Sequence, residues 1–292
     1  MNKVAIFTDS TCDLMPDTIK EHDIHVIPLY VNFKDESYRD GVDMTPTLLY
    51  EKVEQTKIMP KTSAATVADF INAFTPFIND GYDVFYTGIS SKMSVNMQNV
   101  LTAASEFEEN RVYVSDSLNL SSDIGLLVLK ACKFRDEGKS AKEIKELIDD
   151  LAPKVKGGFV IKSMDYLYKG GRCSALSKIF GTILKIKPFI RVKNGSMYVH
   201  KKPRGKFFSA IDVMIEEAIN DLPNMNTDYI MVTHSKGEEY APYIIEKLKE
   251  KTNIPIMETY AGCVISSHCG KGTIGILYIL KNNLTDEEEK KS

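Results

Sequence analysis

The chain has 292 residues, of which 43% are hydrophobic and 26% charged, the proportions of an ordinary globular protein with a sizeable core. A formal net charge of −3 argues against a protein that binds polyanions over its whole surface, so we expect no nucleic acid partner. No apolar run approaches the ~18 residues of a membrane span, which predicts no integral membrane segment.

The cysteines and the amino terminus indicate the compartment. The five cysteines are an odd number and none is spaced C-x-x-C, which is typical of free thiols in a reducing compartment. The start "MNKVAIFTDS" has too few apolar residues for a signal peptide. The sequence therefore predicts a cytoplasmic protein.

The first half of the chain alternates strands with helices. Apolar runs predict strands at 3–8, 25–33, 83–88 and 111–115, and helical spacing predicts helices at 47–56, 66–79, 92–108, 122–137 and 140–152. A further helix is expected to begin near Pro16 after a cap at Asp13. Such alternation is typical of βαβ units, so we predict an α/β fold with a mostly parallel sheet.

The glycines of "KVKGG" (154–158) mark the most favoured boundary, which divides the chain into domains 1–155 and 156–282 and a charged tail 283–292. Beyond the boundary, Asn194–Gly195 lies between two alternating runs within 189–202, the strongest short-range signal for a hairpin. The remaining runs predict strands at 228–234, 254–258 and 273–280 and helices at 206–220 and 239–250. The second domain is therefore expected to be α/β with an antiparallel element.

Four predicted strands end in hydroxyl side chains: Thr8–Thr11, Ser90–Ser91, Ser115–Ser117 and Thr233–Ser235. Ligands of open parallel sheets bind outside the carboxyl ends of strands, so these groups are candidates for one shared site. Ser, Thr and Asp are also the preferred helix caps; capping is the better explanation of any single cluster and explains the whole set about as well as a shared site.

Hydroxyls do not neutralise an anion, so a cation must come from elsewhere in the chain. Arg172 in "KGGRCS" and His268 in "SSHCGKG", each beside glycines, are the candidates. An isolated Arg or His is more often a surface or core residue than a ligand group. The basic stretch "HKKPRGKFF" (200–208) is either a solvated hairpin end or a docking surface.

Motifs for common enzyme chemistries are missing from the sequence. "GKGTIG" (270–275) matches the dinucleotide pattern but precedes a strand instead of following one. No phosphate-binding loop, no G-x-S-x-G elbow and no zinc spacing among the five histidines is found. These observations favour a binding protein without metal or cofactor over a catalyst.

Five segments in this order carry a family resemblance: "FTDSTCDL" (7–14), "KTSAAT" (61–66), "ISSKMS" (89–94), "KGGRCS" (169–174) and "HCGKGTIG" (268–275). Together they resemble the DegV family over about 1–281. The resemblance implies a two-domain α/β protein that binds one long-chain fatty acid in a tunnel between its domains. In the fatty acid kinase system, such a protein presents the carboxylate to a separate kinase subunit, which forms an acyl phosphate for phospholipid synthesis.

The resemblance also assigns roles to residues. It implies carboxylate-binding groups, namely Thr62, Ser63, Ser94, Arg172 and His268. It implies supporting groups behind them at Thr8, Asp9 and Ser10, and partner docking at Lys202 and Arg204.

The sequence departs from the family pattern near this site. Val95 and Asn96 follow Ser94 where the family has Gly-Thr, so Val95 is expected to narrow the space there. Lys271 is expected to bring an extra cation to the site.

Three functions stay open at this point. The first is a non-catalytic fatty-acid-binding subunit of a kinase. The second is an enzyme acting on a small phosphorylated or carboxylated metabolite, with Asp9 and His268 as acid–base groups. The third is a lipid-sensing regulator.

Overall fold

The structure, a computed structural model, describes residues 2–172 and 186–282. Cys173 and the predicted charged tail 283–292 lie outside the described residues. The other cysteines, Cys12, Cys132, Cys263 and Cys269, are free and buried, as predicted.

The strands are β1 (Val4–Asp9), β2 (Ile24–Ile27), β3 (Tyr30–Phe33), β4 (Glu36–Arg39), β5 (Lys61–Ser63), β6 (Asp83–Gly88), β7 (Val112–Asp116), β8 (Gly158–Val160), β9 (Phe189–Lys193), β10 (Ser196–Lys201), β11 (Ile230–Ser235), β12 (Ile256–Tyr260) and β13 (Thr273–Leu277). The helices are α1 (Pro16–Glu21), α2 (Pro46–Thr56), α3 (Val67–Asn79), α4 (Asn96–Ala104), α5 (Ser122–Asp136), α6 (Ala141–Leu151), α7 (Asp165–Lys169), α8 (Phe207–Asp221), α9 (Ala241–Lys249) and α10 (Cys263–Cys269).

The first sheet is parallel throughout, with strand order β2-β1-β6-β7, as the alternating pattern predicted. Strand β1 is buried at every residue, which fits its apolar, uninterrupted sequence. The chain leaves β1 for β2 on one side, and β6 pairs on the other side. The carboxyl ends of β1 and β6 therefore form the switch point at which open α/β sheets bind ligands.

Local sequence explains how these strands are connected. Helix α3 begins with a capping box, in which Thr66 Oγ1 accepts from the Asp69 N–H at 3.2 Å and Asp69 Oδ2 accepts from the Thr66 N–H at 2.8 Å. Phe70 and Phe74, one helical turn apart, are then fully buried in the first core.

The predicted strand 25–33 is two strands in different sheets. Only β2 joins the parallel sheet, whereas β3 forms a small antiparallel sheet of order β4-β3-β5. Single-sequence periodicity does not distinguish one long apolar run from two strands separated by Pro28 and Leu29. Strand β5 was not predicted, and it carries two of the predicted site residues, Thr62 and Ser63.

The last sheet has order β10-β9-β8-β13-β11-β12, in which only β11 and β12 are parallel. The predicted hairpin is confirmed: β9 and β10 pair antiparallel around Asn194 and Gly195, with φ of 50° and 82°. Both positive angles fit the Asn-Gly sequence, because these residues tolerate the left-handed conformation.

Two local predictions at helix starts are wrong. Asp13 does not cap α1, because Met15 occupies the cap position and Asp13 adopts φ of 51° one turn earlier. The predicted helix 92–108 begins only at Asn96. Residues before it form a turn instead, in which the Met93 and Ser94 N–H groups donate to the Ser90 carbonyl at 2.9 and 3.1 Å.

The cores cross the predicted domain boundary. The largest cluster of buried apolar side chains combines the parallel sheet with residues from the second half, among them Met231, Val264 and Leu277. The boundary near residue 155 stays a prediction. Over the described residues, no helix has the length and apolar character to cross a bilayer.

Candidate ligand-binding site

A cavity lies where the carboxyl end of the parallel sheet meets α7, α10 and the β9–β10 hairpin, and we call it the outer cavity. The space between its side chains is about 620 Å³, part of it open to solvent. Its lining includes every predicted carboxylate-binding residue: Thr62, Ser63, Ser94, Arg172 and His268. The other lining residues are Leu29, Ala64, Ile89, Met93, Leu120, Phe159, Leu167, Met197, Val264, Ile265 and Cys269.

Strand β5 places the first two hydroxyls. Thr62 is paired with Val31 of β3, which directs its side chain to α10, and Thr62 Oγ1 lies 2.8 Å from His268 Nε2. Ser63 Oγ accepts a hydrogen bond from Asn32 Nδ2 at 3.0 Å. Each hydroxyl keeps hydrogen-bonding capacity for a ligand, because an O–H both donates and accepts.

Ser94 lies in the turn before α4. Its Oγ accepts from the Asn96 N–H two residues later at 3.2 Å, which leaves its own proton to be donated. The expectation that Val95 narrows the space beside Ser94 is wrong, because 67% of the Val95 side chain is exposed. Valine at the position of the family's glycine therefore leaves the cavity beside Ser94 open.

His268 lies in the last turn of α10. Its Nδ1 is buried and has no hydrogen-bond partner among the described residues. Burial, followed by the nearby Arg172 guanidinium, lowers the pKa of His268 to about 4. The imidazole is therefore neutral near neutral pH, with one N–H to donate. Gly170 packs against it so closely that a Cβ there would lie 2.3 Å from Nδ1.

Arg172 lies at the exposed end of the outer cavity, where its Nη1 donates to the Gly170 carbonyl at 2.9 Å. It supplies the positive charge that the hydroxyls lack. The expectation that Lys271 brings a second cation to the site is wrong, because Lys271 does not line the outer cavity. Its ammonium group instead pairs with Glu54 and lies 5.0 Å from the centroid of the Tyr50 ring.

Asp9 lies behind the lining, at the end of β1. Its Oδ2 accepts from Tyr86 Oη, the Ile89 N–H and Asn96 Nδ2 at 2.9, 3.0 and 2.9 Å. Its Oδ1 accepts from both the N–H and the hydroxyl of Thr11. Asp9 is fully buried and is not a lining residue, so its contacts fix the neighbouring loops and leave no oxygen facing a ligand.

The neighbours of Asp9 extend this support. Asn96 Oδ1 accepts from the Ala65 N–H at 3.1 Å, which links the Ser94 turn to the segment after Thr62. Ser10 Oγ accepts from the Leu29 N–H at 3.1 Å, whereas Thr8 Oγ1 is buried and has no hydrogen-bond partner within 2–172 and 186–282. In the sequence, Asn96 is only a departure from the family pattern, because a single sequence contains no signal for its buried position between two site loops.

The four hydroxyl clusters do not meet in the outer cavity. Of the described lining residues, none belongs to Thr8–Thr11, Ser90–Ser91, Ser115–Ser117 or Thr233–Ser235. Most of these hydroxyls are paired within the protein, for example Ser115 Oγ with Asp149 Oδ1 at 2.6 Å. Helix capping accounts only for the first cluster, in which Asp9 caps the turn Ser10–Cys12. The site hydroxyls of the outer cavity come instead from β5 and the Ser94 turn.

The position of α10 depends on two buried carboxyl groups that sequence reasoning missed. Asp40 accepts from the Cys263 and Val264 N–H groups at 2.7 and 3.1 Å, and Asp13 accepts from the Gly262 N–H at 2.8 Å. Burial raises the pKa of both carboxyl groups. These contacts hold the helix that carries His268 against the loops of the first sheet.

A second cavity adjoins the first, and we call it the inner cavity. It shares Leu120, Phe159, Ile265 and Cys269 with the outer cavity and continues toward β11 and β13. Through these shared residues the inner cavity adjoins the outer cavity on the side of α10 and the six-stranded sheet.

The predicted docking residues lie apart from this lining. Lys202 and Arg204 follow β10 and are exposed, and Arg204 forms an isolated bridge with Ile186.

An α/β fold with polar side chains collected at one end of an apolar cavity has the layout of a small-molecule-binding protein. The chain belongs to the DegV family, whose model, described as an uncharacterised protein family, matches residues 3–281. A DegV domain-containing protein of Clostridium acetobutylicum is 37% identical over 281 residues, covering 96% of this chain and 100% of the relative.

Solved structures show the same fold. A DegV family protein of Thermus thermophilus, described by its fatty acid binding, matches with a TM-score of 0.87 at 27% identity and covers 96% of this chain and 100% of its own. A stearic acid-binding protein of Eubacterium ventriosum matches with a TM-score of 0.82 at 26% identity and covers 96% of this chain and 99% of its own. The predicted family and α/β fold are confirmed, and fatty acid binding occurs among these relatives.

Proposed function

We propose that this chain binds one long-chain fatty acid, with its carboxylate at the polar end of the outer cavity and its tail directed toward the inner cavity. One observation carries the proposal: polar groups from β5, the Ser94 turn, α10 and the segment after α7 line one cavity whose other lining residues are apolar. Fatty acid binding by structural relatives supports the same ligand class.

The two ends of the site have different energetic roles. Burial of each methylene group is worth ~0.8 kcal/mol, so roughly fifteen supply on the order of 12 kcal/mol before the costs of association. The carboxylate adds little to this, but leaving it buried and unpaired is prohibitively costly. Hydroxyls with one nearby guanidinium meet that requirement without enclosing the carboxylate.

We assign the head-group contacts to Thr62, Ser63, Ser94, Arg172 and His268. Neutral His268 donates one hydrogen bond, and Arg172 provides the charge. Asp9 and Ser10 hold the loops behind these groups by hydrogen bonds, and Thr8 is buried next to them in β1. This arrangement needs no metal or cofactor, and the fatty acid is the ligand.

We further propose that the carboxylate is presented to a separate fatty acid kinase subunit, and that this chain alone is not catalytic. The exposure of Arg172 supports access from outside, because a partner can reach the head group without opening the apolar cavity. Exposed Lys202 and Arg204 are the assigned docking residues. The free thiols of the described chain suit the reducing cytoplasm, where we place this reaction.

Native mass spectrometry of the purified chain, followed by lipid analysis after denaturation, tests the binding role. We expect one long-chain fatty acid per chain, or, for ligand-free protein, a rise in melting temperature with added stearate. A chain that neither carries nor binds any fatty acid would contradict the proposal.

A kinase-coupled assay tests presentation. Acyl phosphate should form only when the kinase subunit, ATP and this chain are combined. Product formation by the isolated chain from a small phosphorylated metabolite would favour the enzyme alternative. Fatty acid binding without any coupling would favour a lipid-sensing regulator.

A further inference from the structure

The inner cavity contains polar groups that a saturated acyl tail does not need. Besides its apolar residues, its lining includes six polar side chains: Ser121, Asp123, Thr233, His234, Ser235 and Thr273. All six are at most 6% exposed. The space belongs to the apolar half of the proposed fatty acid site, so each polar group there requires an explanation.

Three of these groups belong to β11 and are paired within the protein. Thr233 Oγ1 lies 2.7 Å from Thr259 Oγ1. His234 Nε2 lies 3.0 Å from Glu258 Oε1, and its Nδ1 accepts from the Gly237 N–H at 3.1 Å. Ser235 Oγ lies within 2.7 Å of the hydroxyls of Tyr50 and Ser266.

The groups from outside β11 differ from one another. Ser121 Oγ donates to Asp13 Oδ2, and Thr273 Oγ1 donates to the Cys269 carbonyl at 2.8 Å. Asp123 is the exception: it is 1% exposed, and its Oδ1 has no hydrogen-bond partner in the described part of the chain. A Cβ at Gly157 would lie 1.8 Å from Asp123 Oδ2, so the carboxyl packs directly on the backbone there.

A buried polar group without a partner costs about 1–3 kcal/mol, and an isolated charge costs far more. Burial raises the pKa of Asp123 well above its usual range, which favours the neutral carboxylic acid over the carboxylate. In that form it has one O–H to donate and oxygens to accept. A hydroxyl group of a ligand is complementary, because it both accepts and donates.

We propose that the inner cavity selects a long-chain fatty acid with a hydroxyl group on its chain, which is hydrogen-bonded to the Asp123 carboxyl group. This inference rests on the proposed fatty acid binding and specifies its ligand. An all-methylene tail leaves Asp123 unpaired, whereas a hydroxylated tail pairs it and also avoids burying its own hydroxyl unpaired. Asp123 is therefore a residue that sets specificity along the tail.

Binding titrations of delipidated protein with stearate and with octadecanoic acids hydroxylated at carbons 6, 9, 12 or 15 test this inference. We expect at least one positional isomer to bind about fivefold more tightly than stearate, the size of one net hydrogen bond. The Asp123→Ala variant should lose that preference and bind stearate at least as tightly as the wild type. Asp123→Asn, which keeps a donor and an acceptor, should retain part of it.

Thr233→Val is the matched control, because it removes a lining hydroxyl that is already paired, and it should keep the preference. Stearate binding without preference for any isomer overturns this inference alone, as does a preference that survives in Asp123→Ala. Failure of every ligand to bind the wild type overturns the proposed function as well. If Asp123→Ala does not fold, the comparison of the hydroxylated isomers with stearate in the wild-type protein still tests the inference.

Discussion

Two layers of polar side chains lie at the carboxyl end of the parallel sheet, and they differ in how completely they are paired. In the inner layer, Asp9 accepts five hydrogen bonds and is fully buried. In the outer layer, the Ser94 hydroxyl proton and His268 Nδ1 have no partner among the residues that the structure describes, and Arg172 is exposed. Paired groups hold loops in position, whereas groups with remaining hydrogen-bonding capacity are available to a ligand. Substitutions in the two layers should therefore separate stability from binding.

The largest effect is expected for Asp9→Asn. Donors face both carboxylate oxygens, so either orientation of the new amide points its NH₂ group at the Thr11 donors or at those of Tyr86, Ile89 and Asn96, and buried groups lose their acceptor. We expect a loss of about 3 kcal/mol or more in the free energy of unfolding. Urea denaturation of ligand-free protein measures it. A loss below about 1 kcal/mol would show that Asp9 is not the centre of the inner layer.

The pH dependence of stability isolates His268 of the outer layer. Its pKa in the folded protein is about 4, below the ordinary value of 6.5, so the unfolded chain binds more protons between these values. The contribution of neutral His268 to the free energy of unfolding is therefore fully present above pH 6.5 and is lost as pH falls toward 4. This pKa shift corresponds to at most about 3 kcal/mol of unfolding free energy, and the partial exposure of His268 to solvent reduces that value.

His268→Gln serves as the reference for that measurement, because it removes the titrating group and keeps a polar side chain. Buried carboxyl groups with raised pKa values, such as Asp13 and Asp40, act in the opposite direction in acid. The difference in unfolding free energy between wild type and variant cancels their common contribution. It should shrink as pH falls from 6.5 to 4. A constant difference would mean that His268 titrates normally.

Thr62→Val tests the other half of the comparison. Valine preserves the shape of threonine and suits strand β5, so the free energy of unfolding should change by less than about 1 kcal/mol. Loss of one hydrogen bond to a charged carboxylate should weaken fatty acid binding by about tenfold or more. Titration with stearate measures this, and Thr75→Val is the matched control, because Thr75 is half-buried in α3 and does not line the outer cavity. Equal affinities for Thr62→Val and wild type would remove Thr62 from the head-group assignment.

The sequence predicted the fold and the lining residues better than it predicted how they are supported. Apolar periodicity located the parallel strands and the 189–202 hairpin, because these signals are local. The family resemblance selected Thr62, Ser94 and His268, which the structure brings to one cavity. Residue pattern alone instead favoured the hydroxyls at strand ends, most of which are paired within the protein.

The supporting contacts were missed because their partners are far apart in sequence. Asp40 and the amino terminus of α10, which it binds, are more than 220 residues apart in the sequence. Asn96 and the Ala65 N–H that it binds after Thr62 are 31 residues apart. A single sequence contains no signal for such pairs. The unpaired state of Asp123 likewise became visible only when Gly157 and the surrounding strands were in place.

The smallest effect is expected at the exposed docking residues, which belong to neither polar layer. Arg204→Glu should weaken coupling to a kinase partner by about fivefold, more strongly at low salt, and leave stearate affinity unchanged. Lys251→Glu makes the same change in net charge beside β12, at the opposite edge of the sheet from β10, and should have no such effect. Kinase-coupled rates at two salt concentrations measure both variants. Equal rates for the two would show that the basic segment after β10 is a solvated hairpin end.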